Sequence, residues 1–294
     1  MTDNYADVNG VRLHYVSEGT GEPILFLHGF PEFWYAWKRQ LAEFGRDHRA
    51  IAVDLRGYNL SSKPADVDQY RIEVLVEDIR ALLDQLGIDR VTLVGHDWGG
   101  VLAWAFVLQY PERVRRLVII NAPHPAIFAR ELRDNPAQQQ ASQYMLTFRG
   151  PHAEAILAAN DYERLVSGVL GTGRAVGTFD DEDERRYRAA WAQPGALTGG
   201  LNYYRAARVG PPTGEGSSTG NLAEGGRSPI VRVPTLVIWG ERDEFLLTGN
   251  LNGLERVVPD LRIERIPDGT HWVIHELPEL VNRLMRDFID APVR

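Results

Sequence analysis

The run Val91-Thr92-Leu93-Val94-Gly95-His96-Asp97-Trp98-Gly99-Gly100 sets an aspartate inside a glycine frame, after a short apolar β-branched stretch and before a helical one. Strand, G-x-Asp-x-G turn and helix in that order make a nucleophile elbow. The glycines let strand and helix approach closely, and the residue between them is held in a strained turn that pushes its side chain clear of the sheet. The helix opening at Gly99 points its amide end at Asp97, which stabilises a negative group there. A helix N-cap aspartate is the plain alternative. The double glycine frame and the partners below argue for the nucleophile.

The residue type decides the chemistry. A serine needs a base to remove its proton, whereas a carboxylate is ionised at neutral pH and can attack saturated carbon directly. Such an attack leaves an ester whose carbonyl belongs to the protein. Releasing the product then needs water activated by a base, and an oxyanion hole at that carbonyl. Epoxide carbon–oxygen bonds and carbon–halogen bonds suit this scheme, and ordinary ester or peptide hydrolysis does not.

Elbows of this kind take their partners in the chain order nucleophile, acid, histidine. A base after the last strand is either His271, in Pro267-Asp-Gly-Thr-His271-Trp272, or His275. His271 is favoured because its loop can swing over the strand ends, and a solvent-facing role suffices for His275. The two at i,i+4 could also suggest a metal pair, but no third ligand stands at a recognisable spacing, so no metal is expected. The orienting acid should follow the strand before, where Gly240-Glu241-Arg242-Asp243 stands, with Glu241 and Glu244 as rivals. Asp243 is favoured by its spacing from Gly240. His28-Gly29-Phe30-Pro31 also follows a strand, so the backbone N–H groups of Phe30 and Trp98 are the expected oxyanion hole. His28 itself reads as structural.

These residues need a scaffold, and the periodicity supplies one. Apolar runs closed by turn residues predict strands at Val11–Val16, Ile24–Leu27, Ile51–Val53, Val91–Val94, Leu117–Ile120, Thr235–Trp239 and Leu261–Ile266. Apolar residues from Ile72 to Leu86 recur at three-four spacing and predict a helix ended by Gly87. Further helices are expected from Gly99 to Tyr110 and from about Glu279 to Phe288. Alternating strands and helices imply an α/β protein, with a mostly parallel twisted sheet flanked by helices. From Ala126 to Pro229 no strand is evident, only helical stretches and a Gly/Pro/Ser/Thr-rich tract from Gly210 to Gly226 that reads as a mobile surface loop. The chain thus divides into core 1–125, an inserted helical cap 126–229 and core 230–294.

Composition narrows the classes further. With 294 residues and 44% hydrophobic content the chain can bury a large core. A net charge of −8 argues against nucleic acid or an anionic membrane as partner. The absence of cysteine excludes disulfides and thiolate chemistry. The acidic start Met1–Asp7 lacks the features of a secretory signal. Apolar runs such as Val101–Leu108 fall far short of the roughly 20 residues of a membrane span. A cytoplasmic monomer or homodimer acting on a small molecule is the resulting expectation.

Together, His28-Gly-Phe-Pro31, Asp54-Leu-Arg-Gly-Tyr58 with Ser61-Ser-Lys-Pro64, Gly95-His-Asp-Trp-Gly-Gly100, Tyr110-Pro-Glu-Arg-Val114 and Gly269-Thr-His-Trp272 resemble the epoxide hydrolase branch of the α/β-hydrolase superfamily, in its compact bacterial form. The resemblance implies the α/β-hydrolase fold, no cofactor and an epoxide substrate hydrolysed to a vicinal diol. It also implies two cap tyrosines that donate hydrogen bonds to the epoxide oxygen. Tyr144 in Gln143-Tyr-Met-Leu-Thr-Phe148 and Tyr204 in Leu201-Asn-Tyr-Tyr-Arg205 match them, whereas Tyr187 and Tyr203 read as packing residues. Some relatives carry the acid after the Leu117–Ile120 strand, but Asn121 there is not ionisable.

Two other functions stay open on the sequence. Haloalkane dehalogenases resemble this chain in using the same aspartyl ester, with an indole donor at the position of Trp98, but Phe30 stands where a second halide donor would be. A non-catalytic ligand-binding protein on this scaffold is the other alternative.

Overall fold

Short β-branched runs become strands here because both of their faces can be buried. The computed structural model describes residues 1–214 and 229–292, so the tract expected as a loop lies, from residue 215 on, outside the described residues. Eight strands form one sheet: β1 (Thr2–Val8), β2 (Val11–Glu18), β3 (Pro23–Leu27), β4 (Arg49–Val53), β5 (Val91–His96), β6 (Val114–Ile120), β7 (Thr235–Gly240) and β8 (Leu261–Ile266). Their order is β1-β2-β4-β3-β5-β6-β7-β8. Strand β2 runs antiparallel to β1 and β4, and all other pairings are parallel. Each expected strand is present.

Strand β1 was not expected from the sequence, although its signal is there. Asn9-Gly10 joins it to β2 with positive φ at both residues, the backbone that a two-residue hairpin turn demands. Strand β6 also begins at Val114, before the expected Leu117. The charged pair Arg115-Arg116 hid that start, but Arg116 is buried and donates to the carbonyl oxygens of Phe288 and Ala291.

Alternate strand residues feed two cores, as the period of two requires. Ile24, Phe26, Val94 and Val118 meet Leu41, Phe44, Val281 and Met285 on one face. These come from α1 (Lys38–Phe44) and from the last helix. On the other face Leu25, Leu27 and Leu93 meet Ile79 and Leu82 of α2 (Ile72–Gln85) and Leu102 and Phe106 of α3 (Trp98–Gln109). Helix α3 is apolar nearly all round because sheet, neighbouring helices and insert enclose it.

Between β6 and β7 the described regular elements are helices: α4 (Pro125–Asp134), α5 (Pro136–Ala141), α6 (Tyr144–Arg149), α7 (Ala153–Leu165), α8 (Gly171–Ala175), α9 (Asp181–Trp191) and α10 (Ala196–Ala207). The short α11 (Val273–Glu276) and α12 (Pro278–Ile289) close the chain. Among the described residues no helix is long and apolar enough to cross a membrane. The carboxyl ends of β3, β5, β7 and β8 lead into the segments carrying Phe30, Asp97, Asp243 and His271. In open parallel sheets this is the edge where ligands bind.

Candidate active site

The elbow forms where the glycines require it. Asp97 has φ 51° and ψ −123°, a conformation that L residues rarely adopt, and its side chain makes no capping bond to α3. The N-cap alternative for Asp97 therefore does not apply. A methyl group on Gly95 would lie 2.4 Å from the carbonyl oxygen of Gly99, and one on Gly99 would lie 2.1 Å from that of Leu27. Neither backbone can yield without moving β3 or β5. Gly99→Ala is thus expected to destabilise the fold by about 1–3 kcal/mol, and an unchanged thermal unfolding midpoint would contradict this packing argument.

Turned out of the sheet, Asp97 finds two of its expected partners. Its Oδ1 accepts the Phe30 backbone N–H at 2.7 Å, and its Oδ2 lies 3.7 Å from His271 Nε2. Trp98 opens α3, so its N–H has no intrahelical acceptor. On the far side of the imidazole, His271 Nδ1 and Asp243 Oδ2 are 2.7 Å apart. Asp243 is locked in turn: Oδ1 accepts the N–H groups of Phe245 (2.8 Å) and Leu246 (2.9 Å). Glu241 instead pairs with Arg265 at the surface, away from the histidine.

Asn121, set aside in the sequence because it cannot ionise, has a different place. Its amide donates to Asp243 Oδ2 at 2.7 Å and its carbonyl accepts the Gly240 N–H at 2.9 Å, so the end of β6 holds the acid of β7 in position.

Electrostatics follow from this arrangement. Burial alone would lower the His271 pKa, but Asp243, Asp97 and Glu32 outweigh it and push it up to about 9. Burial likewise opposes ionisation of Asp243, and the bonds from His271, Leu246 and Asn121 turn the balance below the usual carboxylate range. Tyr144 and Tyr204 are both pushed well above the ordinary phenol value, first by burial and then by neighbouring charge that includes Asp97. They are therefore neutral donors at pH 7. Both line the same cavity of about 340 Å³ as Asp97 and His271. Tyr187 and Tyr203 do not: their hydroxyls donate to Glu32 and to the Arg56 carbonyl.

The expected solvent-facing role of His275 is incorrect. The side chain is buried, and its Nε2 lies 2.5 Å from Glu32 Oε1. Glu32 also lies 3.3 Å from His96 Nδ1, and His96 Nε2 bonds the His271 carbonyl oxygen at 2.8 Å. Burial would raise the Glu32 pKa, but His275 and His96 hold it far below the carboxylate range. His271 and His275 thus turn to different carboxylates rather than converging on one point. His28 is structural as expected, with Nε2 accepting the Leu55 N–H at 3.1 Å. No local signal in the sequence marks Glu32, which meets His275 across 243 residues.

The same fold recurs in known proteins. The sequence profile of the family described as alpha/beta hydrolase fold matches residues 22–278. Epoxide hydrolase 4 of Mus musculus is 36% identical over 294 residues, covering 97% of this chain and 78% of the mouse protein. AB hydrolase superfamily protein YfhM of Bacillus subtilis (strain 168) is 39% identical over 289 residues, with 97% and 96% covered. A crystal structure of Bacillus megaterium epoxide hydrolase with an inhibitor superposes with a TM-score of 0.92 at 38% identity, covering 98% of this chain and all of that one. This chain accordingly belongs to the α/β-hydrolase fold family and, within it, to the epoxide hydrolases.

Proposed function

We propose that this enzyme adds water to an epoxide to give a vicinal diol, through a covalent ester on Asp97. The observation that carries the reading is that two neutral phenols, Tyr144 and Tyr204, share one cavity with the Asp97 side chain. An alkoxide leaving a strained ring needs proton donors, and a phenol supplies one without bringing charge. Oδ2 of Asp97 attacks a ring carbon while a phenol hydrogen-bonds the oxygen that leaves. Oδ1, already on the Phe30 N–H, becomes the ester carbonyl oxygen and then the oxyanion when water attacks Cγ. His271 takes the proton of that water, and Asp243 stabilises the imidazolium. Collapse breaks the bond to Oδ2, which departs in the diol and takes a proton from the imidazolium, while the second proton of the water, left on the re-formed Asp97 carboxyl, goes to the alkoxide oxygen held by the phenol. Phe30 presents an apolar ring, packed edge-on against Phe148 and Tyr204, and offers no side-chain donor to a halide. The reading is tested by supplying an aromatic epoxide, a haloalkane and an activated ester in parallel. Diol from the first is expected, and halide release without diol would replace it with dehalogenation.

The pH dependence has a definite sign. Raised to about 9 by Asp243 and Asp97 against the opposing effect of burial, His271 is cationic in the resting enzyme at pH 7. Ester formation removes the Asp97 charge, one of the causes of that rise, so the pKa of the base falls once the intermediate forms. Hydrolysis needs neutral imidazole. Decay of a preformed adduct, followed by mass spectrometry, should therefore accelerate with rising pH and level off at a midpoint below 9. A decay rate that falls as pH rises would rule His271 out as the base.

A further inference from the structure

The cavity is lined by a cation that the proposed reaction does not use. It is lined by Asp97, Tyr144, Tyr204 and His271, its wall is largely apolar, and Arg164 lines it from an exposed position on the cap. The neighbouring acids are committed elsewhere: Asp161 and Glu163 lie 3.0 and 3.8 Å from the guanidinium of Arg188. The Arg164 guanidinium has no hydrogen-bond or ion-pair partner among the described residues.

The backbone around Arg164 is irregular on both sides. Asn160, Asp161 and Tyr162 have positive φ, which breaks α7 just before it, and a π-helical turn, Val166–Leu170, follows. Such turns are rare and recur at functional sites. Together they bring Arg164, Leu165, Gly168 and Val169 onto the cavity. A side chain on Gly168 would meet nothing within 4 Å, so the space beside Arg164 is open.

We propose that Arg164 selects epoxides carrying a carboxylate at the end remote from the ring. This rests on the epoxide hydrolase reading above. With a net charge of −8 the protein as a whole repels anions, which makes an unpaired guanidinium at this site a local exception. Arginine matches a carboxylate with two parallel hydrogen bonds. The acid has to be remote because Asp97 is itself an anion and repels a carboxylate held next to the ring. At about 30 Å³ per water-sized group, the 340 Å³ cavity holds a body of about ten non-hydrogen atoms. The preferred class is thus a medium-chain epoxy acid, and a glycidate, whose acid adjoins the ring, is a poor substrate.

The experiment compares 6,7-epoxyheptanoate, an ω-epoxy acid of ten non-hydrogen atoms, with its methyl ester. In the wild type the kcat/KM ratio of acid to ester should exceed that of Arg164→Gln by about fivefold at low salt, an effect suited to a partly solvated ion pair. Arg164→Lys should restore part of the ratio, Arg164→Glu should invert it, and high salt should compress it. Calorimetric binding of the dihydroxy acid and its methyl ester reads the same contact without turnover. An acid-to-ester ratio identical in wild type and Arg164→Gln, by kinetics or by binding, overturns the proposal. Failure of the wild type to form diol from either epoxide instead overturns the reaction, while the calorimetric ratio still decides the role of Arg164.

Discussion

His271→Gln is expected to alkylate itself once and then stall. The variant keeps Asp97, the Phe30 N–H and both phenols, so ring opening proceeds, but nothing remains to deprotonate water. Diol turnover should drop by about a thousandfold or more. A peptide containing Asp97 should gain the mass of the intact epoxide, and Asp97→Ala should gain none. Asp243→Asn should slow release of the adduct more than its formation, because the acid acts on the imidazole that Nδ1 presents to it at 2.7 Å. Oxygen-18 water gives an independent check. In a single turnover of the wild type the oxygen entering the diol is that of the Asp97 carboxylate, so the diol should be mostly unlabelled. Heavy label in the first-turnover diol, with no adduct in the histidine variant, would mean that water attacks the ring directly.

Replacing Tyr144 and Tyr204 together by phenylalanine should abolish most ring opening. Either phenol alone retains one proton donor, so each single variant should lose about tenfold and the double variant about a thousandfold in the rate of adduct formation. Packing should suffer little, because both rings remain to make the edge-on contacts with Phe148 and, for Tyr204, with Phe30 and Trp98. Stopped-flow quenching of tryptophan fluorescence, with Trp98 beside Asp97, would follow the step. Adduct formation at the wild-type rate in the double variant would remove the phenols from the reaction.

Much of this molecule is local and therefore legible. Short apolar runs bounded by turn residues marked the parallel strands, because a strand buried on both faces leaves that trace. The three-four spacing from Ile72 marked α2. What stayed hidden was either masked by charge or dependent on partners far away in the chain. Arg116 hides a strand start since its guanidinium is satisfied only by carbonyls near the C-terminus. His275 reads as a surface residue until Glu32, 243 residues earlier, is brought against it. Asn121 could be dismissed as an acid from its side chain alone. That it steadies the acid of the next strand follows only from the pairing of β6 with β7.

By itself the sequence determined the residue type that stands at the elbow, since a carboxylate at position 97 within a glycine frame is a matter of residue type and a few bonds of spacing. It likewise determined seven of the eight strands and the helices α2, α3 and α12, which follow from periodicity over short windows. Only the tertiary structure decided that His271 meets both Asp97 and Asp243, that Glu32 rather than solvent receives His275, and that Arg164 stands at the cavity with no acid to pair it among the described residues. Those facts depend on distances between segments that the chain separates widely, and packing into one sheet and one cap is what makes the distances short.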